Sequence, residues 1–175
     1  MSAALLFGFR EMPPPSTPTR GLRPSILDRL IDPESAGTSI LIGYNVEQMY
    51  ASVMRDLDDL LNTLHTSHDV PTTFPETRDS IVMYGLPDMA SVQAISAEQR
   101  MGIGKAIKRA VERYEPRLKQ VKVTLLEKQE DLLRMSIRFR IDARLNADPS
   151  PDVAFDTILE MGSGKYQVNA ADQNV

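Results

Sequence analysis

Side chains able to do chemistry are plentiful in this chain of 175 residues, but their settings do not favour it. Glu127, Glu130 and Asp131 cluster in a predicted hairpin turn, where water keeps carboxylates ionised. Glycoside hydrolysis needs two carboxyl groups across a cleft, about 5–10 Å apart, one of them with a raised pKa. The chain has no Trp and only 6% aromatic residues, which makes a poor sugar platform. His65 and His68 sit three apart with Asp69 beside them, so one helical face could carry both imidazoles. A zinc site needs a fuller ligand set than this, and the pair falls where a helix frays before Pro71. Met101-Gly102-Ile103-Gly104-Lys105 has two glycines and a lysine but neither the phosphate-loop spacing nor a preceding strand. There is no cysteine, which excludes thiolate chemistry and disulfides. The residues therefore predict no catalytic group, no cofactor and no metal.

Arginine supplies a different pattern. Arg134, Arg138, Arg140 and Arg144 alternate with Met135, Ile137, Phe139, Ile141, Ala143 and Leu145. Strict alternation marks a half-buried strand, and Arg138 and Arg140, two apart, point the same way. Three readings fit this row: a nucleic-acid surface, a surface for an acidic protein, or a solubilising face. The first lacks the aromatic residues that stack bases, and the net charge of −4 opposes it.

The elements that must position these groups change character at one place, Tyr114-Glu115-Pro116-Arg117. Before it, apolar residues recur at helical spacing; after it, they alternate. Pro116 stops the helix because a residue ahead of proline is pushed out of helical geometry. A first long helix opens at Asn45, with Gln48 at capping-box spacing, and carries Val46, Met49, Tyr50, Val53, Leu57, Leu60, Leu61 and Leu64 on one stripe. Arg55, Asp56, Asp58 and Asp59 lie off it and read as a solvated polar face. A second opens at Ser96 with Gln99 and buries Ile103, Ile107, Ala110, Val111 and Tyr114. Gly102 and Gly104 inside it either permit close packing or mark a frayed first turn. Strands follow at 118–125, 135–145 and 153–159, with an irregularity near Lys119-Gln120 and a short return at Tyr166 and Val168. Between the helices, Tyr84-Gly85-Leu86-Pro87-Asp88 reads as a punctuated connector. Helices first and an antiparallel meander after predict an α+β fold: two long helices plus a short N-terminal helix, over 24–31, on one face of a small sheet.

Residues 1–21 read as a flexible proline-rich extension, 22–169 as a single domain and 170–175 as a disordered tail. The first nine residues are apolar but lack the charge and cleavage pattern of a signal peptide, and no run is long enough to span a bilayer. Charge is unevenly placed. From Asp28 to Glu98 there are 12 acidic and 3 basic residues; from Lys105 to Arg144 there are 12 basic and 6 acidic. Such asymmetry fits oriented partner surfaces.

Four segments, in order, carry a family resemblance. Arg23-Pro24-Ser25-Ile26-Leu27-Asp28-Arg29-Leu30 resembles the PSLLDRL opening of type VI secretion TssE proteins. Ser80-Ile81-Val82-Met83-Tyr84-Gly85-Leu86-Pro87-Asp88 is similar to their SVLNYGLPDL segment, with Met83 in place of the usual Asn. Glu115-Pro116-Arg117-Leu118 resembles the EPRL motif shared with the baseplate wedge family of contractile phage tails. Phe139-Arg140-Ile141 and Val153-Ala154-Phe155-Asp156-Thr157 look like their sheet. The resemblance covers about residues 22–169. It implies a non-enzymatic structural subunit, related to a sheath-subunit domain, that links a baseplate wedge to the contractile sheath and starts sheath polymerisation by strand addition. The implied partners are wedge proteins of the TssF, TssG and TssK types and sheath subunits of the TssB and TssC types, with no nucleic acid and no membrane insertion. The implied location is cytoplasmic, in a baseplate at the inner face of the inner membrane. On this resemblance Glu115, Pro116 and Arg117 form a wedge contact, Arg138, Arg140, Phe155 and Thr157 a sheet edge and basic face for a partner, and Tyr84 to Asp88 a structural motif. Whether Glu115 and Arg117 touch a partner or hold their own junction stays open at this level. The alternatives are a wedge subunit of a phage tail or phage-derived injection particle and, from an old lysozyme-like label of relatives, a peptidoglycan hydrolase.

Overall fold

The computed structural model describes residues 44–65, 75–78, 80–87, 96–126 and 135–171, with Ser25, Asp28 and Leu30. The proline-rich extension, the rest of the N-terminal helix, His68, Asp69, Asp88, the turn carrying Glu127 to Asp131, Arg134 and residues 172–175 lie outside the described residues.

Helix α1 spans Val46–Asn62 and α2 spans Ala97–Tyr114. Each opens on a complete capping box. Asn45 Oδ1 accepts the Gln48 N–H at 2.7 Å while Gln48 Oε1 accepts the Asn45 N–H at 3.0 Å. Ser96 and Gln99 repeat the exchange, both bonds at 3.1 Å. Two donors that a helix start would orphan are thereby satisfied at each helix.

Strands β1 (Leu118–Leu126), β2 (Ser136–Leu145), β3 (Asp152–Glu160) and β4 (Tyr166–Ala170) form one antiparallel sheet in the order β1-β2-β3-β4. The alternation on β2 holds: Ile137, Phe139, Ile141, Ala143 and Leu145 are all buried. The irregularity in β1 is a bulge between Lys119 and Lys122, where Gln120 takes a positive φ of 54°. Both helices lie on the face that β2 and β3 turn inward. Met49, Val53, Leu57, Leu60 and Leu61 of α1 and Ile103, Ile107, Ala110 and Val111 of α2 share a core with Phe139, Ile141, Phe155 and Leu159. Tyr50 stacks on Phe155 with ring centroids 4.8 Å apart. Leu64, placed on the helical stripe by its spacing, lies beyond the end of α1 and is 55% exposed. Of the two helical glycines, Gly104 is the packing one: a Cβ there would meet the Phe139 ring at 3.4 Å, whereas one at Gly102 would meet nothing within 4 Å.

The architecture is α+β, with two long helices and a four-stranded antiparallel sheet. Of the expected N-terminal helix, the described residues include helical Asp28 and Leu30.

Candidate functional site

The helix–strand junction closes on itself. Glu115 caps α2, its N–H donating to the Val111 carbonyl at 2.9 Å. Its carbonyl accepts the Leu118 N–H at 3.1 Å, so residues 115–118 form a turn with Pro116 in the second position, where a fixed φ is favourable. The Glu115 carboxylate then folds over that turn. Oε1 accepts the Arg117 N–H at 3.1 Å and Arg117 Nε at 2.6 Å, and Oε2 accepts Arg117 Nη2. Glu115 is 4% exposed and Arg117 half-buried, while Pro116 faces solvent.

Arg117 also reaches α1. Its Nη1 donates to Ser52 Oγ at 3.0 Å and its Nη2 to Asp56 Oδ2 at 2.5 Å. Ser52 Oγ in turn donates to Asp28 Oδ2 at 2.8 Å. Arg55 pairs with Asp28 at 2.7 Å and with Asp56 at 2.7 Å. Ser25 contributes its hydroxyl to Asp28 at 2.8 Å and accepts the Asp28 N–H at 3.0 Å. Three carboxylates and two guanidiniums thus fasten the N-terminal segment, α1 and the junction together. Burial alone would raise the Asp28 pKa, but hydrogen bonds from Ser52, Arg55 and Ser25 outweigh it and lower it to about 2. Desolvation likewise opposes the Arg117 charge, and the bonds and fields of Glu115 and Asp56 overcome it, pushing its pKa up.

The sequence signals for this cluster were partial. Glu115 and Arg117 stand out through their motif. Asp56 and Arg55, read as part of a solvated face, are instead members of the network. Ser52 is the missed clue: a hydroxyl on the buried face of α1 between Met49 and Val53 requires a polar partner.

Tyr84, Gly85, Leu86 and Pro87 brace the far end of α1. Leu86 N–H donates to the Thr63 carbonyl at 2.8 Å and the Leu86 carbonyl accepts the His65 N–H at 3.1 Å. Gly85 has φ +105°, and a Cβ there would lie 2.2 Å from the Thr63 carbonyl oxygen, so only glycine fits. Tyr84 meets Tyr114 of α2 edge-on at 5.2 Å. Burial raises the Tyr84 pKa, and the negative charges of Asp59, Asp56 and Glu115 raise it further.

The four sheet residues separate into two pairs. Arg138 and Arg140 lie on the outer side of β2, and Arg140 pairs with its cross-strand neighbour Asp156, Nε to Oδ1 at 2.9 Å. Arg144 pairs with Asp152 at 3.0 Å. The basic row is therefore interleaved with carboxylates. Phe155 and Thr157 correct the expectation of an accessible edge: both are 0% exposed, on the core face of β3, which has β2 on one side and β4 on the other. All four residues are on interior strands, because β1 and β4 are the outer ones.

Among the described residues no group of three or more His, Cys, Asp or Glu side chains is placed to hold a metal. The junction carboxylates each accept from a guanidinium, and Asp28 at about 2 cannot keep a proton near neutral pH for acid catalysis. Chemically the arrangement is a clasp.

Two helices laid on an antiparallel meander and fastened by buried charges define a small α+β module. The chain belongs to the family described as baseplate wedge protein gp25, whose family model matches residues 47–150. That stretch runs from the first turn of α1 past the end of β2 and takes in Asp56, Tyr84 to Pro87 and Glu115 to Arg117. Among solved structures, a chain of the baseplate complex from the type VI secretion system is 21% identical, with a TM-score of 0.44 over 64% of this chain and 94% of that one. No curated protein matches.

Proposed function

We propose that this chain is a structural, non-enzymatic subunit of a type VI secretion baseplate wedge, that it links the wedge to the contractile sheath, and that it initiates sheath polymerisation by strand addition. The observation that carries this reading is membership of the baseplate wedge family over both helices, the junction and the first hairpin. Its partners are wedge proteins of the TssF, TssG and TssK types and sheath subunits of the TssB and TssC types. It works on the cytoplasmic side, in a baseplate at the inner membrane. Among the described residues no helix is long and apolar enough to cross a membrane. Residues 22–169 act as the wedge domain, related to a sheath-subunit domain, and 1–21 as its tether.

The clasp refines the wedge contact. Glu115 and Arg117 are turned onto each other and onto α1, so the group left facing outward at this turn is Pro116. Contact there is shape-based, with the charges holding the shape.

Reconstitution tests the reading. Wedge complexes containing the full chain should capture sheath subunits and shorten the lag of sheath assembly, and complexes lacking it should not. Pro116→Asp should reduce co-purification with wedge proteins while thermal unfolding stays near that of the parent. Sheath assembly that proceeds equally without the chain would overturn the proposal. So would release of soluble fragments from peptidoglycan by the purified chain.

A further inference from the structure

The two outer strands of the sheet are not equivalent. Ladder bonds join Glu160 to Lys165 and Ala154 to Ala171, and strict alternation then leaves Tyr166 and Val168 with their backbone groups turned away from β3. Three of those four outward groups are occupied. The Tyr166 N–H donates to Asn62 Oδ1 at 3.0 Å, and the Tyr166 carbonyl accepts Asn62 Nδ2 at 3.0 Å. One carboxamide thus makes both bonds that a residue of an antiparallel neighbour would make. The Val168 N–H donates to Asp58 Oδ1 at 3.2 Å. Asp58 and Asn62 are four apart on α1, a rise of about 6 Å, and Tyr166 and Val168 are two apart on a strand, about 6.8 Å. The spacings match, so the helix can stand beside the strand as a substitute neighbour. Eight residues before Asp58, on the same side of α1, Tyr50 donates its hydroxyl to the Ala154 carbonyl at 2.7 Å, where β4 ends.

The opposite edge differs. On β2 the odd residues bond to β3, as Leu145 to Pro151 and Met135 to Met161 do, so the even residues bond to β1. Arg140 and Arg138 face Thr124 and Leu126, and the groups of Val123 and Leu125 therefore point outward. Among the described residues no strand pairs with them. Val123 and Leu125 are half-buried on the inner face, and Lys122 is exposed on the outer one.

We infer that, among the described residues, the sheet offers one receptive edge, β1, because Asn62 and Asp58 of α1 close β4. The occupant that fits β1 is an extended segment of another polypeptide whose apolar residues, set against Val123 and Leu125, alternate with acidic ones set against Lys122. The closure of β4 stands on its own, while the choice of β1 as the recruiting strand rests on the strand-addition reading above.

Residue-resolved amide exchange on the full chain separates the two. In the isolated protein, Val123 and Leu125 should exchange about tenfold faster or more than Tyr166 and Val168, the factor an ordinary hydrogen bond supplies. Asn62→Ala should release the Tyr166 amide by a similar factor. Asn62→Asp keeps the acceptor and should leave it slow, which guards against an unfolded alanine variant. Equal exchange at both edges, or no effect of Asn62→Ala, would overturn the closure. With sheath subunits bound, protection should appear at Val123 and Leu125 with none gained at Tyr166 and Val168, and Lys122→Glu should weaken capture severalfold. Binding that protects β4 instead overturns the inference and leaves sheath recruitment standing. Absence of any binding overturns the recruitment reading and leaves the closed edge intact.

Discussion

At the scale of single residues, the clasp makes Arg117 a structural group first. Removing its guanidinium strands Glu115, 4% exposed, and takes a partner from Asp56 and Ser52. Breaking a buried pair from one side costs roughly 3 kcal/mol or more. Arg117→Ala should therefore lower the unfolding free energy from denaturant titration by about that amount, so a loss of wedge binding in this variant would report on stability as well as contact. Asp28 gives a pH signature. Its carboxyl, lowered from 3.8 to about 2, contributes stability that is fully present above pH 4 and is lost as pH falls toward 2. The swing is roughly 2 kcal/mol. Chemical denaturation across that window should show the loss in the parent and a flatter profile in Asp28→Asn. Neither role could be read from the sequence, since Arg117 and its α1 partners lie 61 and 65 positions apart and only the fold brings them together.

At the scale of elements, local chemistry was legible where it acts over three or four residues. Asn45 with Gln48 and Ser96 with Gln99 mark both helix starts, and the alternation of β2 marks its buried face. The period change at Pro116 marks the junction. Periodicity says which side of a strand is buried but not which neighbours the strand has, and the resemblance that gave Phe155 and Thr157 an edge role carries no strand order either. The same limit applies to α1: Asp58 and Asn62 look like surface residues until the strand beside them is known. The glycines give a clean contrast for measurement. Gly102→Ala should raise stability by about 1 kcal/mol, because the site is helical and open. Gly85→Ala should cost roughly 2–4 kcal/mol, combining a positive φ with a collision against the Thr63 carbonyl. Thermal melts of the two variants against the parent check both signs.

At the scale of the molecule, the charge asymmetry of the chain is partly consumed inside the fold. Asp56 from the acidic stretch meets Arg117 from the basic one, and Arg140 and Arg144 of β2 face carboxylates on β3. A surface of paired charges has little field to offer a polyanion. The chain should therefore show weak retention of duplex DNA at physiological salt, without the steep salt dependence of a phosphate-binding surface. Replacing Asp152 and Asp156 together by Asn should unmask Arg140 and Arg144 and increase retention. Strong, salt-sensitive binding by the parent chain would contradict the pairing seen across β2 and β3.

The carboxamide of Asn62 acts as a chain terminator on the β4 edge. A template with two open ends is bifunctional and can bridge growing chains into networks. One end here is terminated by a group whose far side is a helix, with its own backbone bonds already satisfied, so nothing further can add. On the strand-addition reading proposed above, a seed closed at one edge in this way would fix the direction of growth and hold each subunit to one chain.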